Sequence, residues 1–367
     1  MTIGTLPDDI LLDIFDFYVH KANRADMWHT LVHVCRTWRN VVFASPRRLG
    51  LQLLCAFGRS VKEMLDIWPE LPIIISDHGR NPTKERADNV ISALELNDRV
   101  SRIFLWDVSR SELERFVAKM QVPFPVLRDL TLWSSDEMAP VISDSFLGGS
   151  APHLRSFWLD GIPFPALLNL LSSATSLVYL NLENIPHSSY ISIEAIVTCL
   201  STLAKLEDLL LKFQSPRSLP SGTSQIRSPL TRTILPALTR LGFKGATEYL
   251  EDLVARIDAP LLEEIEMKFS NGLVFDILQL PKFICRTEKF KELNQADVVF
   301  DEGVISIKLY PQTGTVDPTT LTLKISCSEL DWQLLSLVQP EVCTDSALST
   351  PSTSTFSRIN IRIYKMT

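Results

Sequence analysis

Apolar residues in the middle of the chain recur in a short unit, Leu-x-x-apolar-x-apolar, at intervals of 23 to 32 residues. Alternating apolar positions are typical of a strand with one buried face, so each unit predicts a strand whose last two apolar residues point into the core. The seven units are Val100/Ile103/Leu105, Leu127/Leu130/Leu132, Leu154/Phe157/Leu159, Leu177/Leu180/Leu182, Leu206/Leu209/Leu211, Leu238/Leu241/Phe243 and Leu262/Ile265/Met267.

Segments with helical spacing of apolar residues lie between these units, at 166–171, 191–203 and 248–257. Ser111-x-x-Glu114 has the spacing of a capping box, which predicts a helix that begins there. One strand and one helix in each repeat resembles the leucine-rich repeats, whose units stack into a solenoid because none covers its own apolar edge. Ordinary alternation of strands and helices in an α/β domain remains the alternative. The usual ladder position holds no Asn or Cys, so the repeats are irregular.

Further strands are predicted at 72–75, at Val304/Ile307/Leu309, at Leu321/Leu323/Ile325 and at 358–364, where the last is a candidate terminal cap. Two segments rich in Ser, Thr or Pro, 215–228 and 344–357, contain few apolar residues. Such compositions are typical of surface loops and tails.

Three short helices are predicted at the start of the chain. Pro7, Asp8 and Asp9 suit the first turn of a helix, because proline lacks a donor there and carboxylates complement the helix dipole. Asp26 is a candidate N-cap for a second helix with an apolar face at Met27, Leu31, Val34 and Cys35. A third helix holds Trp38, Val41 and Val42 and ends before Ser45-Pro46.

This opening segment resembles an F-box. The matching residues, in order, are Leu6, Pro7, Ile10, Leu11, Ile14, Phe15, Leu31, Val34, Cys35, Trp38, Val42 and Pro46. The rest of the chain resembles, at the level of fold alone, the irregular leucine-rich-repeat F-box proteins of fungi. The resemblance implies a substrate receptor of an SCF (Skp–cullin–F-box) ubiquitin ligase. In that role the F-box binds a Skp-family adaptor, and through it a cullin ligase, while the repeat domain binds a protein substrate.

The residues themselves support a partner surface in this segment. Three helices in some 40 residues cannot bury all of their apolar side chains against one another. We therefore predict an adaptor-binding surface at Leu6, Pro7, Ile10, Leu11, Ile14, Leu31, Val34 and Trp38. The alternative is that the bundle caps the edge of the solenoid and buries the same residues inside the chain.

Aromatic residues fall on the outward face of successive predicted strands. Trp106, Trp133, Trp158 and Tyr179 form a column, and Phe104 widens it. Aromatic side chains are common anchors of protein interfaces, so we predict that these five residues bind the protein substrate. The alternative is that segment 215–228 or the C-terminal tail covers them. The later outward positions carry charges, which suit orientation of a partner and its rate of association.

Composition and motifs exclude several classes of function. The formal net charge is −7, and the sequence contains no run of five basic residues, so it gives little support for nucleic-acid binding. The six cysteines include no C-x-x-C pair, which with the lack of a signal peptide predicts a cytoplasmic or nuclear protein without structural zinc. The uncharged run 161–182 carries prolines and asparagines, so it is interpreted as soluble core and no membrane association is predicted.

Catalytic and metal-binding motifs are missing from the sequence. His29 and His33 are four residues apart, but Thr30 stands where a zincin has Glu. Cys35 is interpreted as a packed thiol, and the carboxylates around Ile265 as a solvated strand face. No phosphate loop or nucleophile elbow is found. We therefore predict a non-enzymatic protein with no metal and no cofactor.

The predicted fold is α/β, with an N-terminal three-helix F-box followed by an irregular leucine-rich-repeat solenoid. The predicted boundaries are 1–48 for the F-box, 49–99 for a linker and N-terminal cap, and 100–367 for the repeats with a C-terminal cap. Two other functions stay open. One is a leucine-rich scaffold with no ligase role, and the other is an unrecognised α/β hydrolase or transferase.

Overall fold

The seven Leu-x-x-apolar-x-apolar units all form strands in the computed structural model of the chain, and their apolar residues are buried. The chain is therefore an α/β protein, as predicted. The structure describes residues 6–22, 27–56, 61–67, 69–78, 84–136, 139–214, 231–269, 279–287, 295–301, 304–310, 321–327 and 357–362. The predicted loop 215–228 and all but the last residue of 344–357 lie outside the described residues.

Two compact units make up the chain, Met1–Phe157 and Trp158–Thr367, and each is described by itself. This division falls inside a strand, whereas the sequence predicts boundaries at residues 48 and 99, which stay predictions. The elements of the first unit are α1 (Asp8–Ala22), α2 (Trp28–Val32), α3 (Arg36–Ala44), β1 (Leu53–Ala56), α4 (Val61–Ile67), β2 (Ile73–His78), α5 (Lys84–Leu94), β3 (Val100–Trp106), α6 (Arg110–Lys119), β4 (Asp129–Trp133) and a 3₁₀ turn at Phe146–Gly149. β1, β2, β3 and β4 are parallel neighbours in that order.

The second unit continues the same alternation. Its elements follow β5 (Ser156–Asp160), which lies at the division, and are α7 (Leu167–Ser173), β6 (Tyr179–Ile185), a 3₁₀ turn at His187–Ser189, α8 (Ile193–Leu200), β7 (Asp208–Phe213), β8 (Thr233–Ile234), β9 (Arg240–Gly245), α9 (Thr247–Arg256), β10 (Ile257–Asp258), β11 (Glu264–Phe269), α10 (Gln279–Arg286), β12 (Gln295–Asp301), β13 (Val304–Tyr310), β14 (Leu321–Cys327) and β15 (Ser357–Arg362). β6, β7, β9, β11 and β14 pair in parallel. β13, β12 and β15 then extend the sheet with antiparallel pairing.

Main-chain hydrogen bonds join successive repeats in a regular way. The carbonyl of the residue just before a strand accepts from two consecutive N–H groups of the next repeat. Arg128 O accepts from Arg155 N at 2.7 Å and from Ser156 N at 3.0 Å, both within the first unit. In the second unit Glu207 O accepts from Thr239 N at 2.8 Å and from Arg240 N at 3.0 Å. Each repeat thus satisfies backbone groups that its neighbour leaves open.

A left-handed residue lies at or near the carboxyl end of several of these strands. Asp107, Gly161 and Asn184 have φ of 53°, 71° and 47°, and each stands two residues after the last apolar residue of its unit. Gly, Asn and Asp tolerate this conformation better than other residues do, which explains why they occupy the turn.

The N-terminal helices differ in detail from the sequence prediction. α2 has Met27 at its N-cap position, and Asp26, the predicted cap, lies outside the described residues. Because α2 ends at Val32, Val34 and Cys35 do not lie on its apolar face. Cys35 is exposed and is the N-cap of α3, where its Sγ accepts from Trp38 N at 3.5 Å, so its interpretation as a packed thiol is wrong.

Trp28 is the largest fully buried side chain of the described residues, and the sequence patterns did not single it out. Its indole N–H donates to Gln52 O at 2.9 Å, which ties α2 to the segment that leads into β1. A buried indole takes such a partner because its only polar group is a donor.

A buried ion pair joins β2, α5 and α6. The Arg86 guanidinium lies 2.6 Å from both carboxylate oxygens of Asp77, with Glu112 at 3.7 Å. Ser109 Oγ donates to Glu112 Oε2 at 2.7 Å, just before α6 begins at Arg110. The predicted capping box at Ser111 and Glu114 is therefore wrong, because the Ser-x-x-Glu contact forms two residues earlier.

We expect Arg86→Met to lower the free energy of unfolding by about 3–5 kcal/mol, because it leaves Asp77 and Glu112 buried without a counterion. Urea denaturation measures this change. Arg115→Met is the matched control, since Arg115 on α6 pairs with Asp88 on α5 at 2.6 Å in an exposed position. The control should change stability by less than about 1 kcal/mol, and equal losses in both variants would contradict the prediction.

Candidate functional site

Helix α1 has two apolar faces. Leu11, Leu12 and Phe15 are buried in the bundle. Ile10, Ile14 and Phe17 are exposed by 42%, 41% and 67%, and Tyr18 is also exposed. At 100° per residue the four exposed side chains fall within an arc of about 100°, beside the buried arc. We name these four residues the α1 stripe.

The predicted adaptor residues divide between the core and the surface of the bundle. Leu11 and Leu31 are fully covered, so their prediction as contact residues is corrected: they are core residues, held there by packing within the three helices. Leu6 and Trp38 are half-buried, and the Trp38 ring lies 4.7 Å from the ring of Phe15. Pro7, Ile10, Ile14 and Val34 are exposed, Val34 by 56%.

Sequence reasoning missed Phe17 as a surface residue, although a signal for it was present. Phe17 stands seven residues after Ile10, which is two helical turns along the same face. The seven-residue spacing therefore predicts a second apolar arc on α1, beside the arc that faces the core. Tyr18 extends this second arc.

In the first unit, the outward aromatic residues are partly covered. The rings of Trp106 and Trp133 meet edge to face, with their centroids 6.2 Å apart. Phe104 is half-buried and lies opposite Thr131 in the strand register. Thr131 lies between the inward residues Leu130 and Leu132 and therefore faces outward, yet it is only 4% exposed, so this part of the outward face is crowded.

In the second unit, Trp158 on β5 is half-buried and Tyr179 at the start of β6 is half-exposed. The five predicted substrate residues are thus divided between the two units. A single groove formed by all five stays a prediction.

The outward face of the second unit carries charges in rows across its strands. Asp208, Arg240 and Glu264 are neighbours in register on β7, β9 and β11, and we name them the paired row. Arg240 Nη1 lies 3.0 Å from Asp208, and Arg240 Nε lies 3.1 Å from Glu264. Opposite charges therefore alternate and neutralise one another at this level of the sheet.

Two carboxylates lie at the carboxyl ends of β5 and β6. Asn184 Nδ2 donates to Asp160 Oδ1 at 2.7 Å, and Glu183 forms an ion pair with Lys212 at 3.1 Å. Burial raises the pKa of the Asp160 carboxyl, and the Glu183 charge raises it further. The Asn184 hydrogen bond and the charges of Lys212 and Lys244 act in the opposite direction.

Nucleophilic and metal chemistry gains no support from the described side chains. Burial raises the pKa of Cys55 to about 12 and that of Cys199 to about 11, so both thiols stay protonated near neutral pH. The described residues hold no group of three His, Cys, Asp or Glu side chains arranged for a metal ion. None of the described helices is both long and apolar enough to span a membrane.

Comparison with known proteins leaves the family open. No protein-family model matches the chain, and no curated protein or solved structure matches it either. Any function must therefore be argued from the surfaces described above.

We expect Asp160→Asn to unfold at a higher temperature than the native protein at pH 7. A carboxyl whose pKa is raised by folding disfavours the folded state once it ionises, while asparagine keeps the acceptor for Asn184. The penalty grows as pH rises from the unfolded pKa of about 3.9 through the folded pKa. Melting curves measured from pH 3 to pH 8 should thus converge at the acidic end, and a gain that persists there would contradict this cause.

Proposed function

We propose that this chain is the substrate-binding subunit of an SCF-type ubiquitin ligase, with an F-box in its N-terminal helices and irregular leucine-rich repeats after it. The F-box binds a Skp-family adaptor, and the repeats bind a protein substrate. The chain itself performs no chemistry in this role, because ubiquitin transfer belongs to other subunits.

The α1 stripe is the observation that carries this proposal. A short bundle that exposes Ile10, Ile14, Phe17 and Tyr18 along one arc leaves apolar area that water disfavours. Val34, exposed in the turn between α2 and α3, adds to the apolar surface of the bundle. An adaptor that covers these side chains gains the hydrophobic free energy that the bundle alone forgoes.

The residue types of the stripe also suit a specific interface. Standard protein interfaces bury roughly 800 Å² on each partner and depend on a few aromatic or large apolar anchors. Phe17 and Tyr18 supply such anchors, and Ile10 and Ile14 surround them. Several positions of the F-box resemblance, among them Pro7, Ile10, Ile14 and Val34, are exposed and available for contact.

We expect Ile14→Asp to abolish co-purification with a co-expressed Skp-family adaptor, since it places a charge in the middle of the stripe. Ile234→Asp is the matched control, because it introduces the same charge at an exposed isoleucine of the second unit. Both variants should unfold like the native chain. Trp38→Ala is a less selective test, because the Trp38 ring also packs against Phe15.

Retention of the adaptor by Ile14→Asp would contradict docking through the stripe. Failure of the native chain to bind any Skp-family adaptor would contradict the ligase role and favour a scaffold with no ligase partner.

We expect the double variant Trp133→Ala plus Trp158→Ala to lose proteins that the native chain captures from cell extract, because the proposed substrate surface depends on aromatic anchors. Quantitative mass spectrometry of the captured proteins measures the loss, with the adaptor as internal control, since its binding should not change. Unchanged capture by a folded double variant would contradict a role for these residues in substrate binding.

A further inference from the structure

Three lysines stand side by side near the carboxyl ends of β7, β9 and β11. Lys212 is the register partner of Lys244, and Lys244 is the partner of Lys268. We name them the lysine row. Neighbouring strands lie about 4.8 Å apart, so the three side chains begin within about 10 Å of one another. The row shares the outward face of the sheet with the paired row, four residues along each strand.

Like charges directly opposite one another destabilise a sheet, so this arrangement is unfavourable for folding. Lys212 is compensated by Glu183 at 3.1 Å. Among the described residues, no carboxylate lies within ion-pair distance of Lys244 or Lys268. Glu266 lies on the same strand face as Lys268, yet does not approach within that distance.

The paired row provides an internal comparison on the same three strands. There a single Arg240 lies between Asp208 and Glu264, and every charge finds an opposite charge within 3.1 Å. Folding alone can therefore neutralise an outward row of this sheet. The lysine row differs, because among the described residues only Lys212 of its three members has an ion-pair partner.

The floor beside the lysine row is apolar. The next row toward the paired row has Leu210 opposite Gly242, and Glu266 is its third member, so the apolar part of the floor lies beside Lys212 and Lys244. The Leu210 side chain extends over Gly242, where an added Cβ would lie 2.0 Å from Leu210 Cδ1. A ligand on the lysine row thus meets ammonium groups beside a patch of hydrocarbon, which suits a peptide side chain such as Glu, with its apolar stem and charged end.

We propose that the lysine row binds an acidic segment, rich in Asp or Glu, of a partner protein. The extent of the row favours a short segment: three or four extended residues span about 10–13 Å. A nucleic acid fits less well, because its binding depends on many phosphate contacts along a basic track, and the row offers three lysines. If the bound acidic segment belongs to the substrate, this inference rests on the proposed receptor role. Binding of an acidic segment to the lysine row does not itself depend on adaptor binding.

The test uses the full chain and a short fluorescein-labelled oligoglutamate peptide, with binding followed by fluorescence anisotropy at low salt. We expect Lys244→Gln plus Lys268→Gln to weaken binding by about fivefold or more, as loss of two charged contacts implies. Lys205→Gln plus Lys282→Gln is the matched control, because it removes two exposed lysines of the same unit that lie outside the row. The control should bind within about twofold of the native chain, since it changes net charge alone.

Stability provides a second readout, because relief of like-charge repulsion should leave the melting temperature of the Lys244/Lys268 variant unchanged or higher. Three results would overturn the proposal. They are equal binding of oligoglutamate by the two double variants, binding of an oligoglutamine peptide to the native chain as tightly as oligoglutamate, and a lower melting temperature of the Lys244/Lys268 variant, which would assign the row a structural role. Tighter binding of oligothymidylate, lost in the same variant, would instead assign the row to nucleic acid. Adaptor binding is measured separately through Ile14→Asp, so failure of one proposal is distinguishable from failure of the other.

Discussion

Every repeat of this chain has an apolar side and open backbone groups that it cannot satisfy alone. The adjoining repeat covers both, through buried residues such as Leu209, Leu241 and Ile265, and through carbonyls such as those of Val178, Glu207 and Thr239, each of which accepts from two N–H groups of the next repeat. This requirement explains why the unit recurs at near-regular spacing while the residues between copies vary. It fixes the inward face of each strand and constrains the outward face less, although an outward residue such as Thr131 can still be buried.

The outward face is where the sequence is therefore free to carry function. Folding can neutralise charges there, as the Asp208–Arg240–Glu264 row does, or it can leave them for a ligand, as proposed for the lysine row. The N-terminal helices follow the same logic on a smaller scale. Their core takes Leu11, Leu12, Phe15 and Leu31, while Ile10, Ile14, Phe17 and Tyr18 of α1 are exposed.

Much of the fold was predictable from local pattern. Alternating apolar residues locate a strand wherever one face is buried, and β3, β7 and β11 lie where the pattern put them. Helix starts were less predictable, because capping residues are common. Ser111 and Glu114 have the right spacing, yet Ser109 and Glu112 make the contact, since Glu112 is drawn to the buried guanidinium of Arg86. That attraction joins residues 26 positions apart and leaves no local signal.

The candidate surfaces, like the fold, were predictable in part from the sequence and depended in part on tertiary structure. The sequence determined which residues of α1 and of the outward strand positions are apolar, aromatic or charged, because strand and helix periods assign side chains to faces. Only the tertiary structure decided that Leu11 is covered while Ile14 is exposed, that Thr131 is crowded, and that Lys244 lies between two other lysines. Exposure and charge pairing depend on strand register and on neighbours distant in the chain, which no local period encodes.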